Sequence, residues 1–227
     1  MDKPRLVRFG RLDAIEVPHR DSNALVVLCL HGYGADMRDL APLAQELRTR
    51  RPLAWLFPDA PEELDWGGRA WFPIDIAAFE ESQRSGKPRP LSVGEPAGMS
   101  QARAELRSFI GELGVPWGKL ILMGFSQGAM MAVDLALQAE EKPAGVVILS
   151  GTIVNGASTA ALAAKKKGIP FFQTHGSVDP ILGFEQALEL EKILQAAGWT
   201  GKLRRFEGGH GIPPDVLDDL KDWLEAM

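Results

Sequence analysis

Short apolar runs alternate with amphipathic stretches along most of this chain. The runs are ALVVLCL (24–30), LAWLF (53–57), KLILMGF (119–125), AGVVILS (144–150), IPFFQTH (169–175) and KLRRF (202–206). The first five are nearly continuous in apolar residues, as is typical of central strands covered on both faces, whereas the more polar KLRRF is predicted to be an edge strand. The alternation predicts an α/β fold with a mostly parallel sheet flanked by helices on both faces.

Between these runs, apolar residues recur at spacings of three and four, which predicts helices. The two clearest sets are Leu106, Phe109, Ile110 and Leu113, and then Val216, Leu217, Leu220, Trp223 and Leu224. The second set follows a helix start signal at Pro213. No internal repeat or linker divides the chain, so we expect a single domain over residues 1–227.

Residues 80–100 interrupt this pattern with a segment dense in Pro, Gly and Ser. We predict a long loop here, and a loop of this length is either disordered or functional, for example as a lid. The segment carries Arg84, Lys87 and Arg89, which could meet an anionic headgroup. A solvated charged loop is the simpler interpretation.

Composition excludes several classes of partner. The formal net charge of the 227 residues is −5, so no general attraction to nucleic acid or to anionic lipid is expected. The N-terminal MDKPRLVRFG has no apolar core of a signal peptide, and the longest apolar run is too short to cross a bilayer. We therefore expect a cytoplasmic protein. The single cysteine, Cys29, lies within an apolar run and is predicted to be a buried, inert thiol.

The stretch KLILMGFSQGAMMAVDLALQ (119–138) places a serine where a strand pattern ends and a helix pattern begins. This is the G-x-S-x-G arrangement of a nucleophile elbow, which exposes a serine hydroxyl above the sheet edge on a strained turn. Gly124 and Gly128 would allow the strand and the helix to approach closely. We predict that Ser126 is the nucleophile.

A serine nucleophile needs a general base and an acid, which in such a fold follow it in the order Ser, acid, His. His19 and His31 precede Ser126. His175 has only Asp134 as an Asp between it and the serine, and Asp134 lies in the middle of a helix pattern. His210, in the glycine-rich FEGGHGI after the last strand, is the better base. Asp179, just beyond the strand IPFFQTH, is the predicted acid.

Acyl transfer also requires backbone amides that stabilise an oxyanion. One should come from Gln127, the residue after the nucleophile. The glycines of LCLHGYGAD predict that the loop after the first central strand offers the N–H of Tyr33, while His31 fastens this loop through hydrogen bonds. The histidines lack the paired spacing of metal ligands, so no metal site is predicted.

Taken together, the motifs LHGYGAD, WFPID, GFSQGAMM, LSG, HGSVDP and GGHGI resemble, in this order, the phospholipase/carboxylesterase family of α/β-hydrolases, which includes the acyl-protein thioesterases. The resemblance covers nearly the whole chain. It implies the triad Ser126, Asp179 and His210, the oxyanion amides of Tyr33 and Gln127, an α/β-hydrolase fold and no large cap domain. The thioesterases of the family commonly have Leu at the position of Tyr33 and Asp at that of Pro73. Both positions line the expected acyl groove, so the resemblance implies the triad but does not fix the substrate.

The segment DAPEELDWGGRAWFPIDIAAF is the candidate wall of an acyl groove. Trp66, Trp71 and Phe72 lie where ligands bind in such sheets, although the same aromatic residues could belong to the core.

The sequence therefore predicts a serine carboxylesterase that acts on short to medium acyl esters or thioesters without a metal or organic cofactor. A lysophospholipase, an acyl-protein thioesterase and a serine peptidase are alternatives. The short chain, without a propeller or a large cap domain, disfavours the peptidase. A non-catalytic module that binds lipid or a partner is the alternative from another class.

Overall fold

An eight-stranded sheet runs through the centre of the computed structural model, which describes residues 3–87 and 94–227. The strands are β1 (Arg5–Phe9), β2 (Leu12–Val17), β3 (Leu25–Leu30), β4 (Leu53–Pro58), β5 (Glu62–Glu63), β6 (Arg69–Ala70), β7 (Leu120–Phe125), β8 (Gly145–Leu149), β9 (Pro170–Gly176) and β10 (Thr200–Phe206). The order in the sheet is β1-β2-β4-β3-β7-β8-β9-β10, and β5 and β6 form a separate hairpin.

Six neighbouring strands run parallel, namely β4, β3, β7, β8, β9 and β10, and β1 and β2 are antiparallel additions. Every apolar run corresponds to one of the six parallel strands, and the polar run forms β10 at the edge. The predicted mostly parallel sheet is therefore confirmed. The antiparallel pair had no prediction, because β1 is largely exposed and carries charged residues such as Arg8, which pairs with Asp13 across the two strands.

Helices cover both faces of the sheet. They are α1 (Leu43–Glu46), α2 (Ile76–Ser85), α3 (Met99–Leu113), α4 (Gln127–Gln138), α5 (Gly156–Ala163), α6 (Phe184–Ala196) and α7 (Pro214–Ala226). Alternation along β3 divides the core between the faces: Leu28 and Leu30 pack in the cluster that contains α3, α4 and α6 residues, while Val27 and Cys29 pack with α1 and α7. The helices predicted from the spacing of apolar residues are α3 and α7.

The predicted loop over residues 80–100 is wrong at its start, because α2 continues to Ser85. The side chain of Asp75 caps this helix by accepting a hydrogen bond of 3.0 Å from the N–H of Ala78. Gly86, with φ of 65°, ends the helix in the left-handed conformation that favours glycine. The Pro and Gly content of the segment concealed this helix.

The charges of this segment are only partly described. Arg84 is exposed and pairs with Glu81 one turn earlier on α2, which is consistent with a solvated surface. Arg89 and the middle of the predicted loop, residues 88–93, lie outside the described residues.

Over the described ranges, none of the helices has both the length and the apolar character required to cross a bilayer.

Candidate active site

Ser126 occupies the turn between β7 and α4 in a strained backbone conformation. Its φ is 54° and its ψ is −116°, values that a residue with a side chain rarely adopts. The flanking glycines explain how the turn closes. A Cβ at Gly124 would lie 2.2 Å from the carbonyl carbon of Gly128, and a Cβ at Gly128 would lie 2.1 Å from the carbonyl oxygen of Leu30. The predicted strand, turn and helix of the elbow are confirmed.

Asp179 follows β9 and is buried, with 4% of its surface exposed. Its Oδ1 accepts hydrogen bonds from the backbone N–H groups of Ile181 (2.8 Å) and Leu182 (3.0 Å). Its Oδ2 lies 2.6 Å from Nδ1 of His210. Burial raises the pKa of Asp179, but the side-chain interactions with His175 and His210 outweigh it and hold the pKa below its usual range. The carboxylate is therefore ionised and fully partnered.

His210 lies on the loop between β10 and α7, next to the elbow. Its ring centroid is 4.9 Å from that of Phe125, the residue before Ser126. Because the carboxylate of Asp179 can only accept, the Nδ1 atom of His210 carries the proton of their hydrogen bond. In the neutral ring, Nε2 is then the atom with a lone pair, which is the arrangement that a general base requires. The structure thus brings His210 to Asp179 and both to the elbow.

The alternative acid, Asp134, is engaged elsewhere. It lies within α4 and its Oδ1 accepts a hydrogen bond of 3.1 Å from Nη2 of Arg103 on α3. This ion pair joins two helices on one face of the sheet.

Ser150, at the end of β8, was not identified from the sequence. It is fully buried and has a φ of 48°. Its N–H donates to the carbonyl oxygen of Thr174 (2.9 Å), and its hydroxyl donates to that of Gly211 (3.0 Å), the residue after His210. Ser150 therefore anchors the loop that carries the imidazole. The only signal in the sequence is the polar LSG at a strand end.

The loop after β3 is fixed by His31, as predicted. Nδ1 of His31 donates to the carbonyl oxygen of Gly32 (2.8 Å), and Nε2 accepts from the N–H of Ala60 (3.1 Å). Burial lowers the pKa of His31, so the ring is neutral and one nitrogen can donate while the other accepts. A Cβ at Gly32 would lie 3.5 Å from Cβ of Ser126. The loop that carries Tyr33 therefore lies against the elbow.

Trp71 and Phe72 are core residues, so their prediction as walls of an acyl groove is wrong. Trp71 is 0% exposed and Phe72 is 4% exposed, within the cluster that packs on α3 and α4. The indole Nε1 of Trp71 donates to the carbonyl oxygen of His31 (2.8 Å). The side chain of Gln127 accepts from the N–H of Trp71 (2.9 Å) and donates to the carbonyl oxygen of Phe72 (2.7 Å). Both residues therefore support the site from beneath.

Trp66, by contrast, is 63% exposed at the turn of the β5–β6 hairpin. Two backbone hydrogen bonds attach this hairpin to the loop after β3. The N–H of Gly34 donates to the carbonyl oxygen of Arg69 (2.8 Å), and the N–H of Arg69 donates to the carbonyl oxygen of Ala35 (2.7 Å). Tyr33, on the same loop, is half-buried, and burial raises the pKa of its phenol. Tyr33 and Trp66 are thus the predicted site aromatics with surface still exposed.

Comparisons with known proteins agree with this arrangement. The family model described as Phospholipase/Carboxylesterase matches residues 12–227. An acyl-protein thioesterase 1 of Neurospora crassa is 26% identical, and the match covers 96% of this chain and 93% of that protein.

Among solved structures, esterase PE8 superimposes with a TM-score of 0.76 at 27% identity, covering 93% of this chain and 96% of that one. A carboxylesterase from Mesorhizobium loti superimposes with a TM-score of 0.77 at 18% identity over 100% of both chains, which demonstrates the common fold. Because the family model extends over nearly the full length and the elbow, the acidic loop and the histidine loop all fall inside it, the chain belongs to the phospholipase/carboxylesterase family.

Proposed function

We propose that this chain is a serine carboxylesterase that hydrolyses short to medium acyl esters or thioesters through Ser126, His210 and Asp179. The observation that carries the proposal is the 2.6 Å hydrogen bond between His210 and Asp179, on a ring that packs beside the strained elbow of Ser126. A buried carboxylate that orients an imidazole next to an elbow serine is the arrangement that activates a serine for acyl transfer.

In the first half of the reaction, the hydroxyl oxygen of Ser126 attacks the acyl carbonyl carbon while Nε2 of His210 takes the hydroxyl proton. Asp179 stabilises the imidazolium without being protonated. The backbone N–H groups of Tyr33 and Gln127 are the proposed donors to the oxyanion. The tetrahedral intermediate then collapses, His210 returns the proton to the departing alkoxide or thiolate, and an acyl-serine ester remains.

In the second half, water attacks the acyl-serine carbonyl and His210 removes a proton from that water. Collapse of the second intermediate expels Ser126, which recovers its proton from His210, and releases the carboxylic acid. Nucleophile, base and oxyanion donors all come from the chain, so the proposed cycle uses no metal or organic cofactor.

Hydrolysis of thioesters on acylated proteins is the second candidate, because the Neurospora crassa relative is named an acyl-protein thioesterase. A lysolipid is the other substrate to compare. The proposal further assigns the protein to the cytoplasm as a single domain over residues 1–227, with small or lipid-like acyl substrates and no nucleic-acid partner. The net charge of −5 supports the last point, and cell fractionation tests the compartment.

The decisive experiment is labelling with a fluorophosphonate probe, followed by mapping of the modified peptide. We expect modification at Ser126, and no labelling of folded Ser126→Ala, in which hydrolysis falls by about 10³-fold or more. Ser108→Ala, which changes an exposed serine on α3, should be labelled like the parent protein. A folded parent protein that neither reacts with the probe nor hydrolyses nitrophenyl esters, acyl thioesters or lysolipids would instead be a binding module.

A further inference from the structure

His175 is a second imidazole on the proposed catalytic carboxylate. It lies at the end of β9, four residues before Asp179, and is 0% exposed. Its Nε2 is 3.2 Å from Oδ2 of Asp179, the same oxygen that accepts the hydrogen bond from His210. The proposed reaction does not use this buried imidazole.

The proton on His175 can be assigned from its partners. Nε2 lies 2.8 Å from the carbonyl oxygen of Leu182, and because a carbonyl can only accept, Nε2 carries hydrogen. Nδ1 has no hydrogen-bond partner among the described residues. A second proton at Nδ1 would therefore be buried without an acceptor, which is costly. His175 is a neutral donor whose N–H dipole lies beside the carboxylate.

The contact with Leu182 closes a small ring of interactions around Asp179. The N–H of Leu182 donates to Oδ1 of Asp179, and the carbonyl oxygen of the same residue accepts from His175. His175 thus acts on both oxygens of the carboxylate. It holds the residue that donates to Oδ1, and it presents its own N–H close to Oδ2.

We infer that His175 is a positioning residue that fixes the Asp179 carboxylate and limits its basicity, and so adjusts how strongly Asp179 holds the protonated form of His210. This inference rests on the proposed function, because it concerns the same three residues. The physical reason is that an N–H beside an anion stabilises the anion, which lowers its affinity for protons and for hydrogen-bond donors.

The charged surroundings of the pair define what else could change its titration. Asp179 is contacted by two titratable side chains, His175 from β9 and His210 from the loop after β10. From β10, Arg205 is the cross-strand partner of His175, and its guanidinium lies 5.8 Å from the ring centroid of Phe184 on α6. Arg205 is present in every variant below, so its effect cancels in the comparison.

The test compares two replacements of His175 that lack a donor with one that keeps it. His175→Phe retains a ring and His175→Met fills the site with a flexible apolar chain, whereas the amide nitrogen of His175→Gln can occupy the place of Nε2. Without the donor, the pKa of Asp179 rises and the imidazolium of the base is held more tightly. The acid limb of the kcat/KM profile should therefore move to higher pH by about half a unit or more.

The same change should lower the plateau of kcat about 3- to 30-fold while KM stays within about twofold, because the donor acts on the acid and not on the substrate. His175→Gln should restore both the midpoint and most of the plateau. His19→Phe removes an imidazole two residues beyond the C-terminal end of β2 and should leave the pH profile of kcat/KM unchanged. A purely structural role for His175 would reduce stability without moving the midpoint.

An NMR titration of the His210 ring reads the same shift without turnover, which separates this inference from the proposed function. If the parent protein neither hydrolyses esters nor labels at Ser126, the proposed function fails, yet the NMR midpoint still tests the contact. An unchanged or lowered midpoint in His175→Phe and His175→Met would overturn the inference. So would a shift in His175→Gln as large as that in His175→Phe. If one donor-less variant does not fold, the other provides the comparison.

Discussion

Oδ2 of Asp179 lies 2.6 Å from Nδ1 of His210, while Oδ1 of the same carboxylate accepts from two backbone amides. The two oxygens therefore have different duties: one is fixed to the turn at Ile181 and Leu182, and the other faces the imidazole. This division determines which end of an amide would face His210 if Asp179 were replaced by Asn.

Asp179→Asn should cripple hydrolysis while the fold survives. The N–H groups of Ile181 and Leu182 require an acceptor, so the Asn oxygen takes the place of Oδ1 and the NH₂ group faces His210. The imidazole must then accept at Nδ1 and carry its proton on Nε2, where it cannot take the proton of Ser126. We expect kcat to fall by about 10⁴-fold, by analogy with the protease triad. Steady-state kinetics on a nitrophenyl ester give the number.

The matched control is Asp134→Asn, which removes a second largely buried carboxylate. It breaks the ion pair with Arg103 between α3 and α4, so urea unfolding should show lower stability. The kcat of the folded variant should stay within about threefold of the parent value, since the partner of Asp134 is Arg103, whereas His210 pairs with Asp179. If Asp134→Asn abolished turnover and Asp179→Asn did not, the assignment of the acid would be reversed.

The close approach of α4 to β3 predicts opposite effects of the same substitution at two glycines. In Gly128→Ala the new Cβ would lie 2.1 Å from the carbonyl oxygen of Leu30, so the helix must move away from the strand. We expect a loss of about 4 kcal/mol or more in the free energy of unfolding, or failure to fold. Soluble yield and urea unfolding measure this.

Gly111→Ala is the control within an exposed position of α3, where a Cβ meets nothing within 4 Å. Alanine loses less backbone entropy than glycine in a helix, so this variant should be about 0.5–1 kcal/mol more stable than the parent protein. A tolerated Gly128→Ala with an unchanged unfolding midpoint would mean that the elbow does not require close packing of α4 on β3.

Which parts of the fold were predictable depends on how strongly burial marked the sequence. Central strands such as β7 are covered on both faces, so their apolar runs were unmistakable, and the elbow followed from the glycines around Ser126. The edge strand β1 is largely exposed and mixes charged with apolar residues, so it has no continuous apolar run to detect. The helix α2 was missed because the residue that caps its start, Asp75, and the glycine that follows its end, Gly86, are residue types that are also common in loops.

The site was predictable where chemistry is linked to chain order, and not where it depends on packing. Chain order after Ser126 singled out Asp179 and His210. Nothing in the order of residues could separate Trp71, which is buried and donates to the loop at His31, from Trp66, which is exposed on a hairpin. Both are tryptophans a few positions apart, and only the three-dimensional path of the chain decides which one faces solvent.

Cys29 predicts a loss of stability at alkaline pH. Burial, and to a lesser extent the charge of Asp39, raises the pKa of the Cys29 thiol well above its ordinary value. A raised pKa in the folded state means that the stabilisation is complete below the unfolded pKa of about 8.5 and decreases as pH rises beyond it, because only the unfolded chain can ionise its thiol. The free energy of unfolding should fall by about 1.4 kcal/mol from this source at pH 9.5.

Urea unfolding of the parent protein and of Cys29→Ala at pH 7 and at pH 9.5 isolates this contribution. Cys29→Ala should be less stable at pH 7 because it loses a buried sulfur atom, but the gap between the two proteins should narrow at pH 9.5. Groups such as Tyr33 titrate in both proteins and cancel. Equal pH dependence in the two proteins would show that the thiol ionises as readily in the folded state.

Acyl-chain preference tests which aromatic side chains meet the substrate. With Trp71 and Phe72 in the core, Tyr33 and Trp66 are the remaining candidates for the wall of a shallow groove. Each methylene buried contributes about 0.8 kcal/mol, so kcat/KM for nitrophenyl esters should rise about fourfold per carbon and then level off at short to medium length.

Tyr33→Leu should move the optimum toward longer chains, because the leucine side chain is smaller and has no hydroxyl that needs a hydrogen-bond partner. Turnover should be retained, because the proposed oxyanion donor is the backbone N–H of this residue. Trp66→Ala should flatten the rise with chain length but spare the acetate ester. Leu6→Ala removes an equally exposed apolar residue on β1, at the opposite edge of the sheet from β10, and should leave the profile unchanged. The measurement is a C2 to C16 ester series for all four proteins. A C16 optimum in the parent protein, or one profile common to parent, Tyr33→Leu and Trp66→Ala, would mean that neither aromatic residue lines the acyl site.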